Sequence, residues 1–246
     1  MRLGGYCRVL ELLWGRLEPV ARLYRVLVEP VMGYPRWRES LAQSWAWCDL
    51  GGLCLVLAGL ASRAEGARVC IYGPGAWEFR GCDVEAGPES ALALALSSGS
   101  KLDYVTGDMD VGLKYLTSAW AATRVYIAHL HGDNIGFQPP AEVKVLYSTQ
   151  VEPWTPCILG PLGFTDGDRA AVLAMALGAG EVRLVGFSHD PLSGHKDSAS
   201  AWRGKRLKLS VSSRLLLEAA KTMGYRPYKT EGGFPEVLQR EAPGDR

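Results

Sequence analysis

The amino-acid sequence predicts an α/β fold: a mostly parallel sheet with flanking helices, preceded by an N-terminal helical segment. Three observations carry this. From Ala67 onward, short apolar runs alternate with helical stretches and Gly-rich turns, the texture of successive strand-helix-strand units. Several of these runs end in polar or Gly-rich clusters, which is where an open parallel sheet gathers its ligand-facing loops. Before Ala67 the apolar residues recur at helical spacing instead, with tryptophans at 14, 37, 45 and 47. Residues 1–65 are therefore expected to form a helical segment packed on the core, and 66–246 the α/β domain.

In chain order, helices are expected over Tyr6 to Glu29 and Pro35 to Ala61, separated by the turn-forming "PVMGYP". Strands follow at "ARVCIY", "GCDVEA", "LDYVT", "RVYIA", "VKVLY" and "EVRLVGF", each short and bounded by polar or Gly-rich residues or a helical stretch. Helical spacing returns in "PESALALALSS", "DGDRAAVLAMALGAG" and "WRGKRLKLSVSSRLLLEAAKTMGY". The polar "QREAPGDR" at the end is expected to fray.

Composition bounds the function. A chain of 246 residues can bury a full core without staples. Its 27 Lys and Arg nearly balance 26 Asp and Glu, so it lacks the bulk positive field of a non-specific nucleic-acid binder, and a small ligand is the expected partner. Cys7, Cys48, Cys54, Cys70, Cys82 and Cys157 are scattered, with no CxxC pair, and are expected to be reduced core residues. "MRLGGYCRVLELLWGRLEPV" interrupts its apolar pattern with Arg and Glu and lacks a small-residue cleavage site. "LGGLCLVLAGLA" is shorter than the ~20 residues of a membrane span. A cytoplasmic protein without membrane contact is expected, and the Trp-rich helices offer an apolar surface for a homo-oligomer. One Asn and four Gln are few, in keeping with avoidance of thermolabile amides.

Five stretches carry chemistry. In "VTGDMDVGLKYL", Asp108 and Asp110 stand two apart just past a strand, where both can reach a divalent cation and Gly107 permits the bend; the plainer alternative is an Asp/Gly turn. In "GFTDGDRA", Thr165 or Asp166 can cap the following helix, but capping alone does not require Thr165, Asp166, Asp168 and Arg169 together, and a helix N-terminus also suits phosphate. Gly73 and Gly75 follow a strand, but the third glycine of a dinucleotide fingerprint is missing and no Walker sequence occurs. "HLHGDN" sets His129, His131, Asp133 and Asn134 at a strand end, either as zinc ligands or as a polar turn; the remaining histidines are His189 and His195. Lys205, Arg206 and Lys208 open an amphipathic helix after a Gly/Ser/His-rich stretch, as a solvated face or as a clamp for phosphates.

The order "VTGDMD", "HLHGDN", "GFTDGDRA", "LVGFSHD", "GKRLKL" resembles the archaeal-type 6-hydroxymethyl-7,8-dihydropterin diphosphokinases, a family related in fold to thiamine pyrophosphokinase. The resemblance runs from about Arg68 to about Gly224 and implies a Rossmann-like, thiamine pyrophosphokinase-like sheet. It also implies Mg²⁺ and ATP as cofactor and co-substrate, and transfer of diphosphate from ATP to a reduced pterin with release of AMP. By that resemblance Asp108, Asp110 and Asp166 hold metal. His129, Asp133, Asn134, Thr165, Asp168, Arg169, Lys205, Arg206 and Lys208, with Gly73 and Gly75, face the substrates, and His131 or Asp110 is the candidate general base. One departure stands out: where such enzymes carry an acid in a small-residue turn after the second strand, "VEAGPES" has Gly87 and Pro88, so Glu85 or Glu89 must substitute. The competing expectations are a zinc or manganese metallohydrolase built on the HxHxD loop, a thiamine diphosphokinase, and a nucleotide-binding module without catalysis.

Overall fold

The computed structural model describes residues 7–109, 120–132, 134, 143–189, 199–228 and 234–242. Among these, nine strands form one sheet in the order β6-β5-β4-β3-β2-β1-β7-β9-β8. The strands are β1 (Arg68–Tyr72), β2 (Val84–Pro88), β3 (Tyr104–Gly107), β4 (Val125–His129), β5 (Lys144–Ser148), β6 (Ile158–Leu159), β7 (Glu181–Val185), β8 (Tyr225–Tyr228) and β9 (Val237–Arg240). The first seven pair in parallel, and β8 and β9 add an antiparallel hairpin beside β7. All six expected strands are present; β2 begins later than expected and runs through Gly87 and Pro88. The edge elements β6, β8 and β9 were not anticipated: β6 has two residues, and "YRPY" and "VLQR" are half polar, as suits strands at a solvated margin.

Alternation along the strands sends side chains to two cores. Val69, Ile71, Val84, Ala86, Tyr104 and Ile127 face one of them. Cys70, Tyr72, Val105 and Tyr126 face the other, covered by helix α5 (Ala91–Ser98). The first face is covered by α1 (Arg8–Leu27), α4 (Leu50–Ala64), α6 (Asp166–Ala176) and α7 (Ala199–Thr222). Every residue of α6 after Asp166 is buried, and its Ala-rich sequence permits the close approach from all sides that this requires. The N-terminal helices share this core, with Leu10, Leu13, Leu17 and Leu57 packed among strand residues. No single helix among the described residues is long and apolar enough to cross a membrane.

The expected second helix is broken into α3 (Arg36–Ala42), one 3₁₀ turn (Gln43–Trp45) and α4. Asp49 explains the restart, since its carboxylate accepts the Gly52 N–H and so caps α4. Between α1 and α3 lies the short α2 (Glu29–Met32), ended by Gly33 in the left-handed conformation. α3 buries Glu39, whose carboxylate accepts the Gln150 N–H at 3.2 Å. Burial pushes this carboxyl up to about 7, against the opposing pull of Arg169 and the Gln150 N–H. The folded-state value lies above the unfolded one, so the cost of the charged form is absent below the unfolded value and complete above about 7. Glu39→Gln should therefore stabilise the fold at pH 8 by an amount approaching ~3 kcal/mol, read as a higher urea midpoint, and flatten the loss of stability between the two values. Equal stability of variant and wild type at pH 8 would contradict this.

The cysteines overturn the expectation of reduced thiols. They pair as Cys7–Cys54, Cys48–Cys157 and Cys70–Cys82, with Cα–Cα distances of 5.7, 5.3 and 5.7 Å, and no described cysteine is free. These separations lie within the range a disulfide bridges. The partners stand 47, 109 and 12 residues apart, so their meeting depends on the fold and leaves no trace in local spacing.

Candidate active site

At the carboxyl ends of the central strands, acids gather around one phenol. After β2 the chain presents Glu89, which is buried; it accepts the Tyr126 hydroxyl and, at 3.1 Å, the Met109 N–H. Burial first, then the negative charges of Glu89, Asp166 and Asp108, push the Tyr126 phenol well above its ordinary range. Three carboxylates from three segments thus act on one buried hydroxyl, which stays protonated. Gly87 and Pro88 finish β2, so Glu89 and not Glu85 reaches this edge; Glu85 lies within the strand, accepting the Cys82 N–H.

Gly107 is required where β3 ends, because a Cβ there would sit 2.2 Å from Glu89 Cγ. Two residues on, Met109 holds φ 66°, a conformation that costs a bulky side chain energy and that clusters at functional sites. Gly107→Ala should displace Glu89 and destabilise the fold by about 1–3 kcal/mol. Chemical denaturation measures this, and an unchanged midpoint would show that Glu89 is not held there.

Asn134 organises the "HLHGDN" loop. Its amide nitrogen donates to the carbonyls of Asp108 and His129, both at 2.7 Å, and its oxygen accepts the His131 N–H at 2.8 Å. Both amide hydrogens are used, so this side chain ties the β3 and β4 exits together. His129 is buried at the end of β4, with Nδ1 3.2 Å from Ser148 Oγ and Nε2 buried without a partner. Burial, then Arg169 and His131, hold its pKa well below the ordinary value, so it is a neutral ring and not a cation for phosphate. His131 is half-buried, its ring 6.0 Å from that of His129.

At the start of α6, Thr165 and Asp168 form a capping box. Asp168 also accepts the Phe164 N–H at 2.6 Å and the Ser212 hydroxyl, and it is buried with its carboxyl raised by burial. Its oxygens are directed at the chain itself, which explains this acid structurally. Asp166 is the acid that remains at the surface of the site, 26% exposed and 2.6 Å from Arg169. Arg169 is buried, donates to the Phe164 carbonyl at 2.8 Å, and keeps its Nε buried without a partner. Thr106 Oγ1 donates to the Asp166 carbonyl at 2.6 Å, fixing the helix start against β3.

Gly73 and Gly75 also have a packing explanation. A Cβ at either would lie 2.9 Å from the Gly186 carbonyl, and their N–H groups bond to the Val185 and Gly186 carbonyls at 2.8 and 3.0 Å. The loops after β1 and β7 thus interlock through these glycines. Lys205 and Arg206 are exposed on α7, while Lys208 is half-buried with its ammonium 5.5 Å from the Tyr34 ring centroid. Asp110, Asp133 and His195 lie outside the described residues. Sequence reasoning missed Tyr34, Tyr126 and Ser148; alternation within β4 and β5 carried a signal for the last two, polar-tipped side chains at strand positions, whereas Tyr34 lies in the turn between α2 and α3.

Glu89, Asp108 and Asp166 are hard oxygen donors, which suit Mg²⁺, an ion commonly held by one or two carboxylates plus water and substrate phosphate. Among the described residues they form no closed cage; the one set of three ligand atoms within 4.8 Å of one another is Cys70, Cys82 and Glu85. His129 and His131 belong to no such set among the described residues, so nothing here favours a zinc centre.

No protein-family model matches the chain. It is 37% identical over 137 residues to a protein of Pyrococcus furiosus named 6-hydroxymethyl-7,8-dihydropterin pyrophosphokinase, covering 52% of this chain and 58% of the relative. A protein of the same name from Methanothermobacter thermautotrophicus is 32% identical over 126 residues, covering 46% and 53%. The match spans little more than half the length of each relative. The chain is thus a relative of archaeal proteins that bear the name its motif order suggests.

Proposed function

We propose that the protein is a 6-hydroxymethyl-7,8-dihydropterin diphosphokinase that uses ATP and Mg²⁺. The observation that carries this reading is the meeting of three acidic segments at one sheet edge: Glu89 accepts from Tyr126 and from the Met109 N–H beside Asp108, and Thr106 holds the Asp166 carbonyl at the start of α6. The names of the two relatives support it and supply the acceptor. In the reaction the acceptor hydroxyl oxygen bonds to the β-phosphorus, the bond from that phosphorus to the α–β bridging oxygen breaks, and AMP leaves with that oxygen. Mg²⁺, when bound, neutralises phosphate charge and aligns the triphosphate.

The chain's own contribution is positioning and charge. Asp108 and Asp166 hold the cation, and Arg169 keeps the Asp166 carboxylate oriented. Glu89, fixed by Tyr126 and the Met109 N–H, sets the position of the Asp108 loop. The positive end of the α6 dipole favours phosphate oxygens. Lys205, Arg206 and Lys208 supply positive charge for the departing AMP. His131 receives the hydroxyl proton, held in place through its backbone by Asn134.

The test is incubation of the purified chain with ATP, Mg²⁺ and 6-hydroxymethyl-7,8-dihydropterin, with separation of the nucleotides. AMP should form one-for-one with diphosphorylated pterin, only when acceptor is present, and not with thiamine in its place. Release of ADP, or AMP formed without acceptor, would overturn the reading.

A further inference from the structure

Tyr34 stands where three of the motif stretches meet. It follows Gly33, whose φ of 62° turns the chain between α2 and α3. Its ring lies 6.1 Å from that of His131 and 6.3 Å from that of Phe164, and the Lys208 ammonium caps it at 5.5 Å. Phe164 is in turn backed by the buried Tyr24, with ring centroids 6.4 Å apart. The ring is half-buried, supported from behind by a packed aromatic cluster and open towards solvent on the remainder. The loop beside it is tightly docked, since a Cβ at Gly132 would sit 2.4 Å from Arg38 Cβ.

The notch next to Tyr34 is lined by Glu29, Arg36, Glu39 and Gln150 and holds about 10 Å³. That is too small for any ring, so a flat ligand must lie on the exposed face of Tyr34 and not behind it. Within that lining Glu29 pairs with Arg36 at 3.5 Å and Glu39 is buried against the Gln150 N–H, so these groups are turned to the chain itself.

We propose that Tyr34 is the platform on which the flat ring of the acceptor lies, so that the N-terminal helical segment builds the acceptor subsite. This rests on the diphosphokinase reading above. The acceptor ring takes the place that the Lys208 ammonium holds over Tyr34, and the displaced cation becomes available to the departing AMP. Tyr34 is then a positioning residue, acting through the flat face of its ring.

The test compares wild type, Tyr34→Phe and Tyr34→Leu for equilibrium binding of 6-hydroxymethylpterin and, separately, of a non-hydrolysable ATP analogue with Mg²⁺, with thermal midpoints for each protein. Tyr34→Leu should weaken pterin binding roughly tenfold or more while Tyr34→Phe stays near wild type, as loss of one stacking face predicts. Nucleotide binding and thermal midpoint should change little in either. Pterin binding by Tyr34→Leu equal to wild type, or a loss confined to the nucleotide, or an equal loss in Tyr34→Phe, would overturn the subsite. A fall in thermal midpoint with both ligands weakened alike would also overturn it, as a merely structural role. Wild type that binds no pterin would instead sink the diphosphokinase reading, and the subsite with it.

Discussion

Asp108→Asn should lower AMP release by at least about 100-fold at saturating substrates, since it removes a charge that holds the cation where phosphate charge moves. The substitution keeps the shape of the side chain. It also keeps the backbone carbonyl that accepts from Asn134, so the β3 and β4 exits stay tied. The fold should therefore survive, with an unchanged thermal midpoint and a raised Mg²⁺ requirement. Steady-state turnover across a Mg²⁺ titration checks this. Wild-type-like turnover would show that Asp108 does not hold the metal, and that the acids around Tyr126 have only a structural role.

Reducing the disulfides should have the largest effect on stability. In the chain-entropy account, the Cys48–Cys157 link, spanning a separation of 109 residues, restrains the unfolded chain most, by about 5 kcal/mol, against about 3 kcal/mol for Cys70–Cys82, spanning 12. For a chain of this length, loss of the longer link should lower Tm by roughly 10–15 °C. The double variant Cys48→Ser/Cys157→Ser and the wild type with and without reductant give this comparison by thermal unfolding. Thiol titration of the unfolded, unreduced protein should find no free cysteine; six reactive thiols would show that the pairs do not form.

Legibility differed between strands and site. The six central strands were readable because buried parallel strands are short apolar runs, and a run such as "RVYIA" carries that signal by itself. The hairpin of β8 and β9 was not, because its half-polar sequence acquires strand character only by pairing with β7. Within the site, "VTGDMD" and "GFTDGDRA" were recognisable, but their residues divided once folded. Asp166 faces the site while Asp168, two residues away, is buried in the capping box. Helical geometry sets that difference, since two positions along a helix turn the side chain by more than half a circle.

The sequence alone determined the α/β class, the polar strand ends and the motif order that links this chain to the archaeal pyrophosphokinases. Local periodicity and residue chemistry are enough for each of those. Only the tertiary structure decided that Glu89 reaches the sheet edge, that Asn134 is occupied with the backbone, that Tyr34 meets His131, Phe164 and Lys208, and that the cysteines pair. Each of these depends on side chains brought together from distant parts of the chain, and sequence spacing carries no record of a distance that folding creates.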